Sequence, residues 1–240
     1  MYHSFDKKII PDFSDTSVES LYDNGYVFTR EAVGSLDQIR SVRIDVSQFE
    51  LSSENKRILS KTENIHFVSV CPLPLKLPGA QRASGSSGDH ESQSGSNDLA
   101  SRSYSWEIGK LAKDFYESRN ATFSANKIKE LMTSTLNNFN TLFSYTEKDS
   151  VTPLGYAIGL HTANIVHYSY PFYDIEHNPK DTGLAMMIYA ILYAKKEGKK
   201  YIYLGSLSRY KLQFKGLEWF DGKDWKSSID DAKNLLKANE

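Results

Sequence analysis

The residues best placed to do chemistry lie at 180–185, where Asp181, Thr182 and Gly183 begin a strongly apolar helix, LAMMIYAILYAKKEG. The backbone amides of a first helical turn are unbonded, so this turn binds anions when a small residue such as Gly183 allows close approach. The same residues fit an ordinary helix start, in which Asp181 or Thr182 is the N-cap and Gly183 only permits close packing. The segment therefore predicts either a phosphate-binding turn or a plain helix N-terminus.

Other catalytic patterns are scarce. Six histidines are present, but they form no H-E-x-x-H pair, which is the helical pattern of many zinc enzymes. Ser206 follows an apolar run, yet the second glycine of a G-x-S-x-G nucleophile elbow is missing. Cys71 is the single cysteine, which excludes an internal disulfide and a thiolate-rich metal site. We therefore expect no resident metal and no Ser-His-Asp hydrolase.

The charge pattern restricts how nucleic acid could bind. The net charge is -1, so no overall field attracts a polyanion and any such binding must be local. Residues 195–226 hold nine Lys or Arg against four acidic residues, a local net charge of +5. This segment is either a phosphate-binding patch or a solvated helix end and loop.

The elements that must position these residues predict an α+β fold. Residues 72–104 are rich in Pro, Ser and Gly and offer little to bury, which predicts a flexible linker between a small N-terminal α/β subdomain at 1–71 and a domain at 105–240. Before the linker we expect a strand at 41–45 and a helix capped by Ser52. After it we expect two amphipathic helices at 106–118 and 124–139, followed by three antiparallel strands at 142–145, 155–161 and 164–170. A buried helix at 181–198 then crosses to a buried strand at 201–206, and a last helix follows at 227–238.

Two patterns in the second half of the chain resemble known families. The spacing Lys180-x-x-Gly183-x-Ala185 resembles the pyrophosphate loop of GNAT acetyltransferases, R/Q-x-x-G-x-G/A. A series that begins at Phe172-Tyr173-Asp174 and continues to 214 is similar to the FYDPD, S-L-G-T, YLYLGY and YK-x-x-F motifs of arginyl- and leucyl-tRNA-protein transferases.

The N-terminal half carries a second resemblance to the same transferases. Residues 40–57 resemble their signature RI-x-V-x-x-F-x-P-S-x-S-Q-R-R at Arg43, Ile44, Val46, Phe49, Ser52 and Arg57, with Asn55 and Lys56 at Gln and Arg positions. The chain departs from the family in two places: residues 25–40 contain no cysteine, and a shorter 206–209 segment replaces C-x-K-M. These departures put metal-cluster regulation and the choice of substrate in doubt.

The resemblance implies a GNAT-like mixed sheet with flanking helices and a defined activity. An aminoacyl-tRNA-protein transferase of the N-degron pathway moves Arg or Leu from tRNA to a protein N-terminus, usually one that begins with Asp or Glu, and it needs no cofactor beyond the aminoacyl-tRNA. The implied catalytic residues are Asp174, Tyr173 and Ser206. The implied tRNA-binding residues are Lys180, Thr182, Gly183, Arg57, Lys56, Tyr210, Lys211 and Gln213.

Two alternatives remain open from the sequence. The 180–185 pattern also fits an acyl-CoA-dependent GNAT N-acetyltransferase, and the missing motifs also fit an inactive relative that only binds tRNA or peptide. Asp174 fits a turn carboxylate nearly as well as a proton acceptor, and each lysine fits simple solvent exposure. Since neither a signal peptide nor a membrane span is evident in the sequence, we expect a cytoplasmic protein that does not bind membranes.

Overall fold

The computed structural model describes residues 4–77, 103–148, 150, 153–178 and 180–238. The strands are β1 (Ser4–Ile9), β2 (Tyr26–Phe28), β3 (Ser35–Ile39), β4 (Ser41–Asp45), β5 (Ile65–Pro72), β6 (Thr141–Glu147), β7 (Pro153–His161), β8 (Ile165–Tyr173), β9 (Tyr201–Ser206), β10 (Leu217–Phe220) and β11 (Trp225–Lys226). The helices are α1 (Asp15–Asp23), α2 (Ser53–Lys61), α3 (Trp106–Glu117), α4 (Ala125–Thr133), α5 (Thr182–Lys196) and α6 (Ile229–Ala238), with a 3-10 helix at Arg209–Gln213.

An eight-stranded sheet forms the centre of the molecule, in the order β11-β10-β4-β9-β8-β7-β6-β5. Its neighbouring strands are antiparallel except β8 and β9, which are parallel. Parallel neighbours need a crossover, and α5 provides it. The predicted α+β class, with a mixed sheet and flanking helices, is confirmed.

The first 72 residues contribute to two sheets. Strands β1, β3 and β2 form a separate three-stranded antiparallel sheet, whereas β4 and β5 belong to the large sheet together with β6–β11. The linker predicted at 72–104 therefore does not separate two sheets, because strands from both sides of it pair in one. Most of that segment, 78–102, lies outside the described residues.

The two faces of the large sheet are covered differently. On one face Tyr145 of β6 donates a hydrogen bond to the Met186 carbonyl of α5 at 3.0 Å. On the other face His167 and Tyr203 pack edge-on against Tyr22 of α1, with ring centres 5.5 and 4.9 Å away. Because side chains alternate along a strand, β8 contributes to both hydrophobic layers.

The predicted helix at 124–139 is six residues too long, since α4 ends at Thr133. Beyond it the polar side chains bond to other backbone groups, which competes with helix formation. Asn138 is buried and accepts a hydrogen bond from the Gly34 amide at 2.6 Å. It also donates to the carbonyl groups of Thr29 and Ala32, both at 2.7 Å. The residue thus fixes the loop between β2 and β3.

Within the described ranges no helix combines the length and apolar character required to cross a bilayer. The same residues contain no group of three His, Cys, Asp or Glu side chains close enough to hold a metal ion. Cys71 is buried in β5.

Candidate functional site in the wedge between two parallel strands

Strands β8 and β9 separate halfway along their length. Their pairing runs from Ile165↔Tyr201 to His167↔Tyr203 and then stops. On the other edge of β8, Tyr168 faces Gly159 and Tyr170 faces Ile158, so Ser169 is an extra residue in the strand. A bulge of this kind bends its strand and interrupts the hydrogen-bond ladder. The two carboxyl ends therefore diverge and leave a wedge in the sheet.

The wedge opens into a cavity of about 450 Å³. Its walls come from 167–171 of β8, 204–206 of β9, Tyr116 of α3, Met187 of α5, and residues 27–31, which are the end of β2 and the loop after it. Tyr210 and Lys211 of the 3-10 helix complete the lining. The cavity thus collects residues from both faces of the sheet at one break in its pairing.

Lys211 is the most unusual group in this cavity. Its side chain is only 5% exposed, and Nζ donates a hydrogen bond to the Ser206 carbonyl at 2.6 Å. None of the described carboxylates forms an ion pair with it. Burial disfavours the charged form and lowers the pKa of Lys211 to about 7. A neutral amine that can accept a proton is therefore available at neutral pH.

His167 of the cavity lining is half of a buried pair of polar rings, and its partner is Tyr22. The Tyr22 hydroxyl is 2.9 Å from His167 Nδ1 and accepts a hydrogen bond from the Phe28 amide at 3.1 Å. Burial, together with the nearby charge of Lys211, lowers the pKa of His167 to about 3. The imidazole is therefore neutral over the physiological pH range.

The predicted phosphate turn is covered by an aromatic ring. A Cβ atom on Gly183 would lie 3.1 Å from the Tyr173 ring and hydroxyl. Arg119 holds that ring in place, since its Nη2 donates to the Tyr173 hydroxyl at 3.1 Å. The space that Gly183 leaves is thus used by Tyr173. Thr182 is fully buried at the same helix start and Lys180 is exposed.

Asp174 organises the turn after β8. Its carboxylate accepts hydrogen bonds from the backbone amides of Glu176 and His177, at 3.0 and 3.3 Å, and lies 2.7 Å from His177 Nδ1. Partial burial raises its pKa, but these hydrogen bonds outweigh burial and the net pKa is lowered. A carboxylate held in this way is a weak proton acceptor, so the turn-forming interpretation accounts for its contacts.

Helix α2 connects the remaining predicted residues to the wedge. Asn55 Nδ2 donates to Gln213 Oε1 at 3.2 Å, which joins α2 to the 3-10 helix that carries Lys211. Arg57 pairs with Glu54 on its own helix and lies 3.7 Å from the Asp181 carboxylate at the start of α5. Lys56 is exposed on the outer side of α2.

The structure thus divides the predicted site. Ser206, Tyr210 and Lys211 line the wedge. Tyr173 and Asp174 instead line a second cavity of about 760 Å³ beside α3. The sequence-based prediction missed His167 and Tyr22, whose only signal is a histidine inside the apolar run IVHYSY and a tyrosine at the end of a short helix.

Comparisons with known proteins show no family for this chain. No protein-family model and no curated protein matches the chain. One similar structure is the C-terminal domain of a protein named as a lysylphosphatidylglycerol synthetase of Agrobacterium fabrum, with 11% identity, a TM-score of 0.44, and coverage of 94% of this chain and 70% of that one. Another is L-PGS from Bacillus licheniformis, with 10% identity, a TM-score of 0.41, and coverage of 92% and 69%.

A third similar structure is a GCN5-related glucosamine N-acetyltransferase region of a fungal multi-domain β-N-acetylglucosaminidase. It shows 10% identity and a TM-score of 0.44, and the match covers 88% of this chain and 23% of that one. At these TM-scores the similarities carry no argument about the activity of this chain.

The predicted function, transfer of Arg or Leu from tRNA to a protein N-terminus, is corrected. No protein-family model matches the chain, and two of the similar structures are named for lysylphosphatidylglycerol synthetase rather than for a protein-modifying transferase. The specific resemblance to arginyl- and leucyl-tRNA-protein transferases is therefore not supported. The coarser expectation holds: the chain has an α+β fold with a mixed sheet and flanking helices, in which the crossover helix α5 connects two parallel strands that diverge into a wedge.

Proposed function

We propose that this chain is a transferase that moves an aminoacyl group from an aminoacyl-tRNA to an amine or hydroxyl acceptor in the wedge cavity. The observation that carries the proposal is Lys211, a buried lysine with a pKa near 7 that lines the cavity without an ion-pair partner among the described carboxylates. A lysine with such a pKa suits proton transfer at neutral pH.

The reaction needs few protein groups because an aminoacyl ester is already activated. The acceptor nitrogen or oxygen attacks the ester carbonyl carbon, and neutral Lys211 takes the proton that the acceptor loses. The carbon–oxygen bond to the tRNA ribose then breaks. The Lys211 ammonium returns the proton to the departing ribose oxygen, so the amine is regenerated. The cavity contributes proximity, since it holds the acceptor and the ester next to each other.

Two features favour aminoacyl-tRNA over acyl-CoA as the donor. The first is Tyr173, whose ring occupies the space over Gly183 that a pyrophosphate would need. The second is the charge around that turn, since residues 174–181 contain three carboxylates, Asp174, Glu176 and Asp181, against one lysine. Carboxylates at a helix start oppose the binding of a second anion.

A group of cations beside the wedge suits a polyanionic donor. We define the α2 basic surface as Lys56, Arg57, Lys61, Lys195 and Lys215. Lys56, Lys195 and Lys215 all act on the charge of Glu50 and lower its pKa, with the Lys215 hydrogen bond as the largest cause. Arg57 and Lys61 act in the same way on Glu54. Since Asn55 joins α2 to the Lys211 helix, tRNA phosphates on this surface would direct the acceptor end toward the wedge.

The test is a transfer assay with paired donors. The protein is incubated with radiolabelled lysyl-, arginyl- or leucyl-tRNA, or with labelled acetyl-CoA. The acceptors are phosphatidylglycerol vesicles, chosen because two neighbours are named for a lipid product, and the amine glucosamine. We expect transfer of an amino acid, loss of that transfer in Lys211→Met, and normal transfer in the exposed-lysine control Lys233→Met. Transfer of acetyl alone would replace the proposal with an acetyltransferase, and transfer of neither group would remove the enzymatic assignment.

A further inference from the structure

We propose that His167 is a neutral hydrogen-bond donor of the wedge, held by Tyr22 in the tautomer that carries its proton on Nε2, and that it binds the carbonyl oxygen of the transferred acyl group. This inference rests on the proposed function and assigns a protein group to the oxygen atom of the reacting carbonyl. Lys211 would handle the acceptor's proton, and His167 would stabilise the negative charge on the oxygen.

The hydrogen bonds around Tyr22 determine the tautomer. The Phe28 amide can only donate, so it uses a lone pair of the Tyr22 hydroxyl oxygen. Tyr22 is fully buried, and among the described residues the one acceptor within reach of its hydroxyl hydrogen is His167 Nδ1, at 2.9 Å. A buried hydroxyl left without an acceptor costs about 1–3 kcal/mol. Tyr22 therefore donates to Nδ1, and the proton of the neutral ring resides on Nε2.

The surroundings of the ring keep it neutral and fixed. Tyr22, Tyr203 and Tyr170 are the titratable groups packed on this face, and all three are phenols whose pKa burial raises. Lys211 is the cation that acts on His167, and its charge further disfavours imidazolium. The ring is held edge-on by Tyr22 and lies 6.3 Å from the ring of Phe139.

In this arrangement Lys211 accepts a proton and His167 donates a hydrogen bond, so the two roles belong to different residues. When Lys211 takes a proton during the reaction, its charge lowers the basicity of His167 still further, so the imidazole remains a donor. A fixed donor needs no reorganisation as the oxyanion develops, and such donors contribute about 10²–10³-fold to the rate. His167 and Lys211 line the same cavity, and the charge of Lys211 acts on the imidazole.

The first test needs no substrate. In protein with ¹⁵N-labelled histidine, NMR should show His167 protonated on Nε2 only, without titration between pH 5 and 8. Tyr22→Phe removes the hydroxyl that fixes the ring, and it should change the Nδ1 signal or produce a mixture of tautomers. A wild-type ring protonated on Nδ1, or one that titrates near pH 6.5, would overturn the assignment.

The second test is kinetic and uses the lysyl-, arginyl- or leucyl-tRNA that the transfer assay shows to be active. His167→Leu should lower kcat by about 100-fold with little change in KM for the aminoacyl-tRNA, whereas His167→Gln, which retains an N–H donor, should recover much of the rate. His161→Leu, outside the cavity, is the control. Wild-type protein that transfers nothing defeats the proposed function. Active wild type with an unchanged rate in folded His167→Leu defeats only the His167 inference.

Discussion

Lys211 Nζ donates a hydrogen bond to the carbonyl oxygen of Ser206 at 2.6 Å, in the region where β8 and β9 part. The bond ties the 3-10 helix to the end of β9 and keeps the amine within the wedge. It satisfies one of the three donors of a protonated lysine and offers no opposite charge. The consequence is an amine that loses its proton easily.

The first prediction concerns the pH dependence of transfer. Burial lowers the pKa of Lys211 to about 7, and the neutral form is the one that accepts a proton. The rate of transfer should therefore rise with pH and level off above about pH 7–8, as followed by single-turnover assays from pH 5.5 to 9. A rate that is flat over this range in the wild type would contradict a general-base role for Lys211.

The second prediction concerns stability. The folded pKa of Lys211 is lower than the ordinary value of 10.5, so between pH 7 and 10.5 the unfolded chain binds the proton and the folded protein does not. The free energy of unfolding should consequently rise with pH across this window, by up to about 1.4 kcal/mol for each unit of pKa difference.

The comparison with Lys211→Met isolates this effect. The free energy of unfolding of Lys211→Met, relative to that of the wild type, should be higher at pH 6 than at pH 9 when both are measured by urea unfolding. The reason is that the wild type carries the full penalty of burying a charged lysine at pH 6. If the two proteins differ in free energy of unfolding by the same amount at both pH values, Lys211 is not the cause of the pH dependence.

A third prediction concerns Gly183 and Tyr173. Gly183→Ala places a methyl group 3.1 Å from the Tyr173 ring, and we expect it to destabilise the protein by about 1–2 kcal/mol, despite the better helix propensity of alanine. In a Tyr173→Leu background the same change should cost much less. The interaction energy from a double-mutant cycle measures the contact, and a value of zero would mean that Gly183 is not retained for Tyr173.

The fourth prediction concerns Asn138, which binds three backbone groups of the β2–β3 loop. Asn138→Ala removes the side-chain partner of the Gly34 amide and of the Thr29 carbonyl, both in buried residues, while the Ala32 carbonyl keeps its bond from the Ser35 amide. The change should lower the free energy of unfolding by about 2–4 kcal/mol. Asn234→Ala on the exposed side of α6 is the matched control and should change stability little. Equal urea midpoints for the two variants would count against this role of Asn138.

The fifth prediction concerns the α2 basic surface. The double variant Lys56→Glu, Lys215→Glu should bind every aminoacyl-tRNA more weakly and to the same extent, because phosphate contacts carry no sequence information. Each phosphate that no longer meets a cation should reduce the salt slope of log K by roughly 0.7–0.9 in filter-binding assays. Lys233→Glu serves as the control. Lys211, which the sequence places among the tRNA-binding cations, is buried and does not belong to this surface.

Local patterns in the sequence identified several elements well. The strands at 41–45 and 201–206 and the helix start at Ser52 agree with β4, β9 and α2, because alternation, apolar runs and capping are properties of short segments. The predicted end of α4 was wrong because Asn138 binds a loop about a hundred residues earlier in the chain. No local pattern contains that contact.

The site was harder to predict for the same reason. The pKa of Lys211 depends on how completely the sheet, α3 and residues 27–31 enclose it, and the state of His167 depends on Tyr22, 145 residues away. A lysine in YKLQF gives no sign of burial in the sequence. The Gly183 turn was predicted from a motif, but only the structure shows that an aromatic ring fills it.

The position of β4 between β9 and β10 has a consequence for synthesis of the chain. Val42 and Ile44 of β4 are fully buried, yet β4 pairs with Tyr201–Ser206 and Leu217–Phe220, which the ribosome makes more than 150 residues later. At about 5–20 residues per second, the apolar strand waits on the order of ten seconds or more for its partners. Such late pairing gives high contact order and slow folding, so the apolar side chains of β4 remain without their partner strands in the nascent chain during that interval.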